Sequence, residues 1–169
     1  MKTLNIRDKN IETNEWQYYT IGNLFEIHKG KRLTSEDQTY GNTPYIGAID
    51  SNNGVANYIG QKARHLGNTI SLSYNGSVGE AFYQPIPFWA TDDVNVLSFK
   101  SENNYKFNKY IALFICSVLK KEKYRYCYGR KWILENMLTT KIKLPTKNGK
   151  PDWKFMENYI KSLPYGDRI

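Results

Sequence analysis

Thr69-Ile70-Ser71-Leu72-Ser73-Tyr74-Asn75-Gly76-Ser77-Val78-Gly79-Glu80-Ala81-Phe82-Tyr83 is the stretch that decides how this chain is read. Residues 69–74 alternate apolar and polar side chains, the period-two pattern of a half-buried strand. Asn75-Gly76 follows, the dipeptide that most strongly marks a hairpin. Val78 to Tyr83 then returns as the partner strand. Outward from this hairpin, short strand-like runs fill the first hundred positions: Trp16 to Ile21, Leu24 to Ile27 stopped by Gly30, Pro44 to Ile49, Val55 to Ile59, Phe88 to Ala90 and Val94 to Leu97. Turn residues separate them. Gly22-Asn23 reads as a break, and Asp50-Ser51-Asn52-Asn53-Gly54 as a tight turn whose Asn and Gly tolerate positive φ.

The pattern changes at Asn108. Residues 108–121 contain neither Gly nor Pro and place Ile111, Phe114, Ile115, Val118 and Leu119 on one helical face, expected to pack under the sheet. Asn108 suits the N-cap, and Lys120 and Lys121 suit the negative end of the helix dipole. A short helix is expected over 131–138 and an edge strand over 141–145, closed by Pro145. A turn at 147–150 precedes a last amphipathic helix over 152–163, capped by Asp152, with Trp153, Met156, Tyr159 and Ile160 on one face. The expected class is α+β: a twisted β-sheet or partial barrel in the N-terminal two thirds, with packed helices. Residues 1–15 read as a flexible polar leader, 16–145 as the domain, and 146–169 as a C-terminal turn and short helix.

A chain of 169 residues, 40% hydrophobic and 24% charged, can build a core without metal or disulfide staples. Cys116 and Cys127 have no CxxC spacing. No run approaches a membrane helix and the first residues lack a signal-peptide stretch, so the expected compartment is the cytoplasm and no membrane partner is expected. Several enzyme classes are disfavoured. There is no Gly-rich cofactor loop and no Asn/Asp-Pro-Pro-aromatic motif of an amino-methyltransferase. Pro151-Asp152 lacks the following Glu-x-Lys of a metal-dependent nuclease. No GxSxG, Walker A or Rossmann fingerprint occurs. Asp92-Asp93 reads as a turn pair, and His28 and His65 lack ligand companions at helical spacing. The expectation is a protein without catalytic residues, metal or cofactor.

The net charge of +8 is unevenly spread. Residues 1–100 hold nine Lys/Arg and ten Asp/Glu, whereas residues 101–150 hold twelve and three. Concentrated positive charge is the footprint of a polyanion partner, because each neutralised phosphate releases counterions. The densest segment runs from Lys120 to Trp132, with six cations and four aromatics against one acid. Lys123, Tyr124, Arg125, Tyr126, Arg130 and Lys131 are its candidate DNA contacts: cations for phosphates, Tyr hydroxyls for phosphate or base edges, Arg for guanine. The alternative is a basic turn whose tyrosines pack inward. A second candidate is the loop with Lys29, Lys31 and Arg32, where Gly30 would let the backbone approach a phosphate; a solvated turn is the alternative. The third is the loop tips, Ser51, Asn52 and Asn53, and Tyr74 and Asn75, where Asn can read adenine but also suits a turn.

Taken in order, these segments resemble a known family. Ile21-Gly22-Asn23-Leu24-Phe25-Glu26-Ile27, Pro44-Tyr45-Ile46-Gly47-Ala48, residues 70–83, Phe88-Trp89-Ala90-Thr91-Asp92-Asp93-Val94, the 108–121 helix, Tyr128-Gly129-Arg130-Lys131-Trp132 and Lys143-Leu144-Pro145 are similar to target-recognition domains of restriction–modification specificity subunits, of type I or the related type IIB and IIG enzymes. The resemblance covers roughly residues 16–145. It implies a non-catalytic module that reads half of a split site in double-stranded DNA and brings a DNA adenine methyltransferase subunit to it. It does not assign base contacts, which vary with the target. A full type I subunit has two such domains joined by long spacer helices; here one domain is followed by about 24 residues, closer to the type IIB or IIG pattern. A half-subunit that forms a homodimer, a partner of a fused nuclease–methyltransferase and a truncated remnant all fit. The rival reading is a protein-interaction module that binds the modification subunit without reading DNA, to be distinguished by co-purification without DNA retention.

Overall fold

The structure, a computed structural model, describes residues 11–127 and 129–168. The first ten residues of the expected leader, and Tyr128 of the basic segment, lie outside the described residues. In chain order the elements are β1 (Gln17–Thr20), α1 (Ile21–Leu24), β2 (Phe25–Lys29), β3 (Thr43–Ile46), β4 (Val55–Ile59), β5 (Thr69–Ser73), β6 (Ala81–Gln84), β7 (Trp89–Ala90), β8 (Val94–Phe99), α2 (Lys109–Lys121), α3 (Leu134–Thr139), β9 (Lys141–Leu144), β10 (Thr146–Lys147), β11 (Lys150–Pro151) and α4 (Trp153–Ser162). Strands and helices mix as an α+β fold with an open rather than closed barrel.

Two sheets carry the β region. The first is antiparallel, in the order β2-β8-β5-β6; the second has the order β4-β3-β7, with β7 parallel to β3. Helix α2 lies against the first sheet. It starts where expected: the Asn108 side-chain oxygen accepts from the backbone N–H groups of Tyr110 and Ile111. Ile111, Phe114, Ile115 and Leu119 are buried against Ile70, Leu72 and Leu97 of the sheet. Helix α4, capped by Asp152, adds Trp153, Met156 and Ile160 to the same core. Burial pushes the Cys116 thiol up to about 12, so it sits there as a small apolar group.

Three local expectations need correction. Strand β5 is buried along its whole length, not half-buried. Ile70 and Leu72 join the helix-side core, while its neighbours Val94 and Val96 in β8 join a smaller core with Ile46, Phe88 and Ala90 of the second sheet. The first sheet is therefore covered on both faces, and the polar residues of β5 are hidden but bonded: Ser71 accepts from Gln84 and donates to the Phe82 carbonyl. The β5–β6 hairpin forms in the expected place, but residues 74–80 make the connection rather than a two-residue Asn-Gly turn. Gly22-Asn23 is not a break; it lies inside the one-turn helix α1, whose first N–H donates to the Thr140 carbonyl.

The two sheets are joined where β2 ends. The Gly30 N–H donates to the Val94 carbonyl and the Lys31 N–H to the Ala90 carbonyl, while the Thr91 N–H donates to Ile46. A Cβ on Gly30 would lie 1.9 Å from the Thr91 oxygen and 2.6 Å from that of Val94. The chain's own backbone, not a phosphate, makes the close approach there. Replacing Gly30 by Ala must push these strands apart, and is expected to cost about 3 kcal/mol. Chemical denaturation of G30A checks this, and a midpoint equal to wild type would show that the junction has slack.

Candidate nucleic-acid interface

The strand register places the candidate loops at one end of the molecule. Lys29 pairs with Asn95, Ser73 with Val94, Leu72 with Ala81, and Ile46 with both Val55 and Ala90. The connections leaving these pairs are therefore neighbours: the 30–32 loop, residues 47–54, residues 74–80 and the 91–93 turn. Hydrogen bonds tie them together. The Tyr74 N–H donates to the Asp93 carbonyl, the Asn75 amide donates to the Asp93 carboxylate at 2.8 Å, and the Ser77 N–H donates to the Ala48 carbonyl. Asp92 lies 3.9 Å from Arg32 and accepts from Thr91. The acidic pair is thus a strut between loops, consistent with its reading as turn chemistry.

Each loop spends part of its polar equipment on its own shape. Asn52 and Asn53 take positive φ, and their amides donate to the Val55 and Tyr83 carbonyls at 2.8 and 2.9 Å. Both remain exposed, as does Ser51. The Asn75 side-chain oxygen is buried without a partner, beside an amide already given to Asp93. Burial first, then Asp93 and Asp92, raises the Tyr74 phenol above its usual value, so it stays a neutral donor. Lys29 at the end of β2, and Lys31 and Arg32 on the loop that follows it, stand exposed.

The basic segment divides into anchored and free cations. Lys120 lies 3.3 Å from the Glu80 carboxylate, and Lys123 is bonded to its other oxygen. These two bonds pin the 74–80 loop to the end of α2. Glu80 is the residue that the sequence reading missed: one acid in a loop gives no sign of two lysines forty positions away. Arg125 is also engaged, donating to the Tyr124 hydroxyl at 2.8 Å and lying 3.0 Å from Glu122. Tyr126 packs inward, stacked on the buried Trp132 with ring centroids 4.7 Å apart and its hydroxyl 3.0 Å from Thr140. Tyr124 is exposed. Arg130 closes a tight turn through paired backbone bonds to Cys127, and its side chain is exposed, as is that of Lys131. Among the described residues, no carboxylate lies within ion-pair distance of Lys121, Arg130 or Lys131. Arg125, Tyr126 and Arg130 line a shallow concavity with Asn136, Thr139, Thr140 and Lys141.

The structure thus brings the three candidate segments toward one end, but withdraws Tyr126 into packing and Lys123 into an ion pair. No group of three or more His, Cys, Asp and Glu among the described residues is placed to hold a metal, and no helix is long and apolar enough to cross a membrane.

Burial alone would raise the Glu80 carboxyl; hydrogen bonds from Lys123 and Lys120, and their charges, outweigh it and hold the group below its usual 4.5. A lowered folded value means stability that is complete above 4.5 and is lost as pH falls below it. The lysines are partly open to solvent, which limits the contribution to roughly 1–2 kcal/mol. Glu80→Gln is therefore expected to be less stable than wild type at pH 7, with the gap closing on acidification below pH 4.5. Equal gaps across thermal melts from pH 7 to pH 3 would contradict the clamp.

Residues 13–164 match the family model described as type I restriction modification DNA specificity domain. The chain is 40% identical over 154 residues to the Type II restriction enzyme BgcI specificity subunit S.BcgI of Heyndrickxia coagulans, covering 90% of this chain and 44% of that protein. Its fold is similar to the S subunit of a type I restriction–modification system from M. genitalium, with a TM-score of 0.64 at 22% identity over 92% of this chain and 40% of that one. The HsdS subunit from Thermoanaerobacter tengcongensis gives a TM-score of 0.60 at 15% identity, over 85% and 36%. The chain thus spans less than half the length of these relatives.

Proposed function

Because this chain belongs to the family of type I restriction modification DNA specificity domains, we propose that it is a target-recognition domain that reads a short sequence in duplex DNA and directs a DNA adenine methyltransferase subunit to it. The family and the relative in Heyndrickxia coagulans are specificity components, a non-catalytic role, and the chain carries no cofactor or nucleophile motif of its own. One observation carries the reading most: loops from both sheets are cross-braced at one end, and Glu80 of the 74–80 loop holds the start of the basic segment against it through Lys120 and Lys123. Recognition needs this combination. Phosphate contacts set the register of the protein on the duplex, and rigidly held loop side chains can then test base edges. Ser51, Tyr74, Tyr124 and the free donor and acceptor atoms of Asn52 and Asn53 supply the base-edge chemistry. Lys29, Lys31, Arg32, Arg130 and Lys131 supply phosphate contacts, with Arg125 and Lys123 adding positive field from their anchored positions.

Selection from randomised duplex DNA at two salt concentrations tests this. A short enriched motif that survives the higher salt is expected, since base contacts release few counterions. Enrichment of nothing would overturn sequence reading by this chain. Within the basic segment, Arg130→Glu is expected to weaken binding on the order of tenfold at moderate salt. Arg125→Glu weakens it less, because Glu122 and Tyr124 already occupy that guanidinium. Equal wild-type affinity in both variants would remove the segment from the footprint.

A further inference from the structure

The N-terminal hundred residues carry no excess of positive charge, yet the fold brings four of their nine cations, Lys31, Arg32, Lys62 and Arg64, into the region around Trp89. Gln61, Lys62, Ala63, Arg64 and Trp89 line an open concavity. The Arg64 guanidinium stands 5.4 Å from the centre of the Trp89 ring. The indole N–H of Trp89 donates to the Lys31 carbonyl at 2.8 Å, which ties this wall to the loop of residues 30–32. The Arg64 N–H in turn donates to the Phe88 carbonyl. Two basic stretches thirty residues apart in sequence thus become one tract of Lys31, Arg32, Lys62 and Arg64. Among the described residues, Asp92 facing Arg32 is the one carboxylate within ion-pair distance of any of the four.

We infer that this tract, centred on Lys62, Arg64 and Trp89, grips backbone phosphates of the duplex beside the segment that the loop tips read, adding affinity without sequence preference. The inference rests on the proposed function and extends its footprint. An arginine held over an aromatic face is oriented while its N–H donors stay available to an anion, and Lys62 adds an unengaged point charge. The concavity is open, and the Trp89 indole lines it beneath Arg64. That suits a surface polyanion lying across it rather than a small enclosed anion. Burial first, then His28 and Arg64, lowers the His65 imidazole to about 4, so it adds no charge to the tract.

The test uses the full chain, wild type, Lys62→Gln, and the double variant Lys62→Gln/Arg64→Gln. Each is titrated at several salt concentrations with the duplex enriched in the selection above and with an unrelated duplex of equal length. Each lost phosphate contact lowers the slope of log affinity against log salt by about 0.9. Lys62→Gln, which removes no contact of the fold, is expected to lower the slope by about one, and the double variant by about two. Affinity for both duplexes should fall by the same factor, with the enriched motif unchanged. Wild-type slope and affinity in the double variant would overturn the tract while leaving sequence reading intact. A loss confined to the enriched duplex would overturn it too, because the tract would then be reading bases. Wild-type protein that retains neither duplex would overturn the proposed function itself, and the tract with it.

Discussion

The junction at Gly30 is the constraint on which the rest of the molecule depends. There the first sheet hands its edge strand to the second: backbone N–H groups of residues 30 and 31 bond to Val94 and Ala90, on either side of the turn that separates β7 from β8. With only Thr91 to Asp93 between them, β7 and β8 must belong to different sheets yet start and stop at the same level. Every connection at that level is then forced close to the others. The cross-braces among Asp92, Asp93, Asn75 and Arg32 are possible because the junction has already placed their loops side by side. Three carbonyl oxygens crowd the position where a side chain at residue 30 would begin, so glycine there is a steric requirement.

What could be read from the chain was what is encoded locally. Helices α2 and α4 announce themselves through apolar period and through caps, Asn108 and Asp152, that act within three residues. The turn at Asn52-Asn53-Gly54 is local in the same sense, and all three residues have positive φ. The misreadings are of the opposite kind. Alternation in β5 says which residues share a face; it does not say that a second sheet will cover the polar one. Ser71 looks solvent-facing until Gln84 and Phe82 are placed beside it. Gly22-Asn23 has the composition of a break, and it is helical because a carbonyl at Thr140 receives the start of α1. The candidate site divides likewise. Its charge and loop chemistry were legible as composition, whereas the roles of Glu80 as a clamp and of Trp89 as a bridge exist only in three dimensions.

Net charge alone overstates the cationic surface of the segment from Lys120 to Trp132. Two of its lysines close on Glu80, and Arg125 is shared between Tyr124 and Glu122. Meanwhile the nominally neutral first hundred residues expose a basic edge around Trp89. Ion pairing inside the fold moves the positive surface away from where the sequence concentrates it, and toward the loops that both sheets present. Charges engaged in structure still contribute field, but they do not move to follow a partner. The shape of this end is held by bonds within the chain itself.

The pairing of the first strand with the ninth bears on how such a unit is handled as a piece of genetic material. Strand β1 pairs antiparallel with β9, Gln17 against Leu144 and Thr20 against Lys141. The chain therefore enters and leaves the β region through adjacent backbones, zipped together and held at Gln17 by Thr146. A unit whose two ends meet in this way can be spliced into a host polypeptide, or exchanged for a cousin with different loop tips, without the flanking chain having to change course. The ladder seals the unit, so a change confined to the loops between its margins leaves the course of the entering and leaving chain as it is.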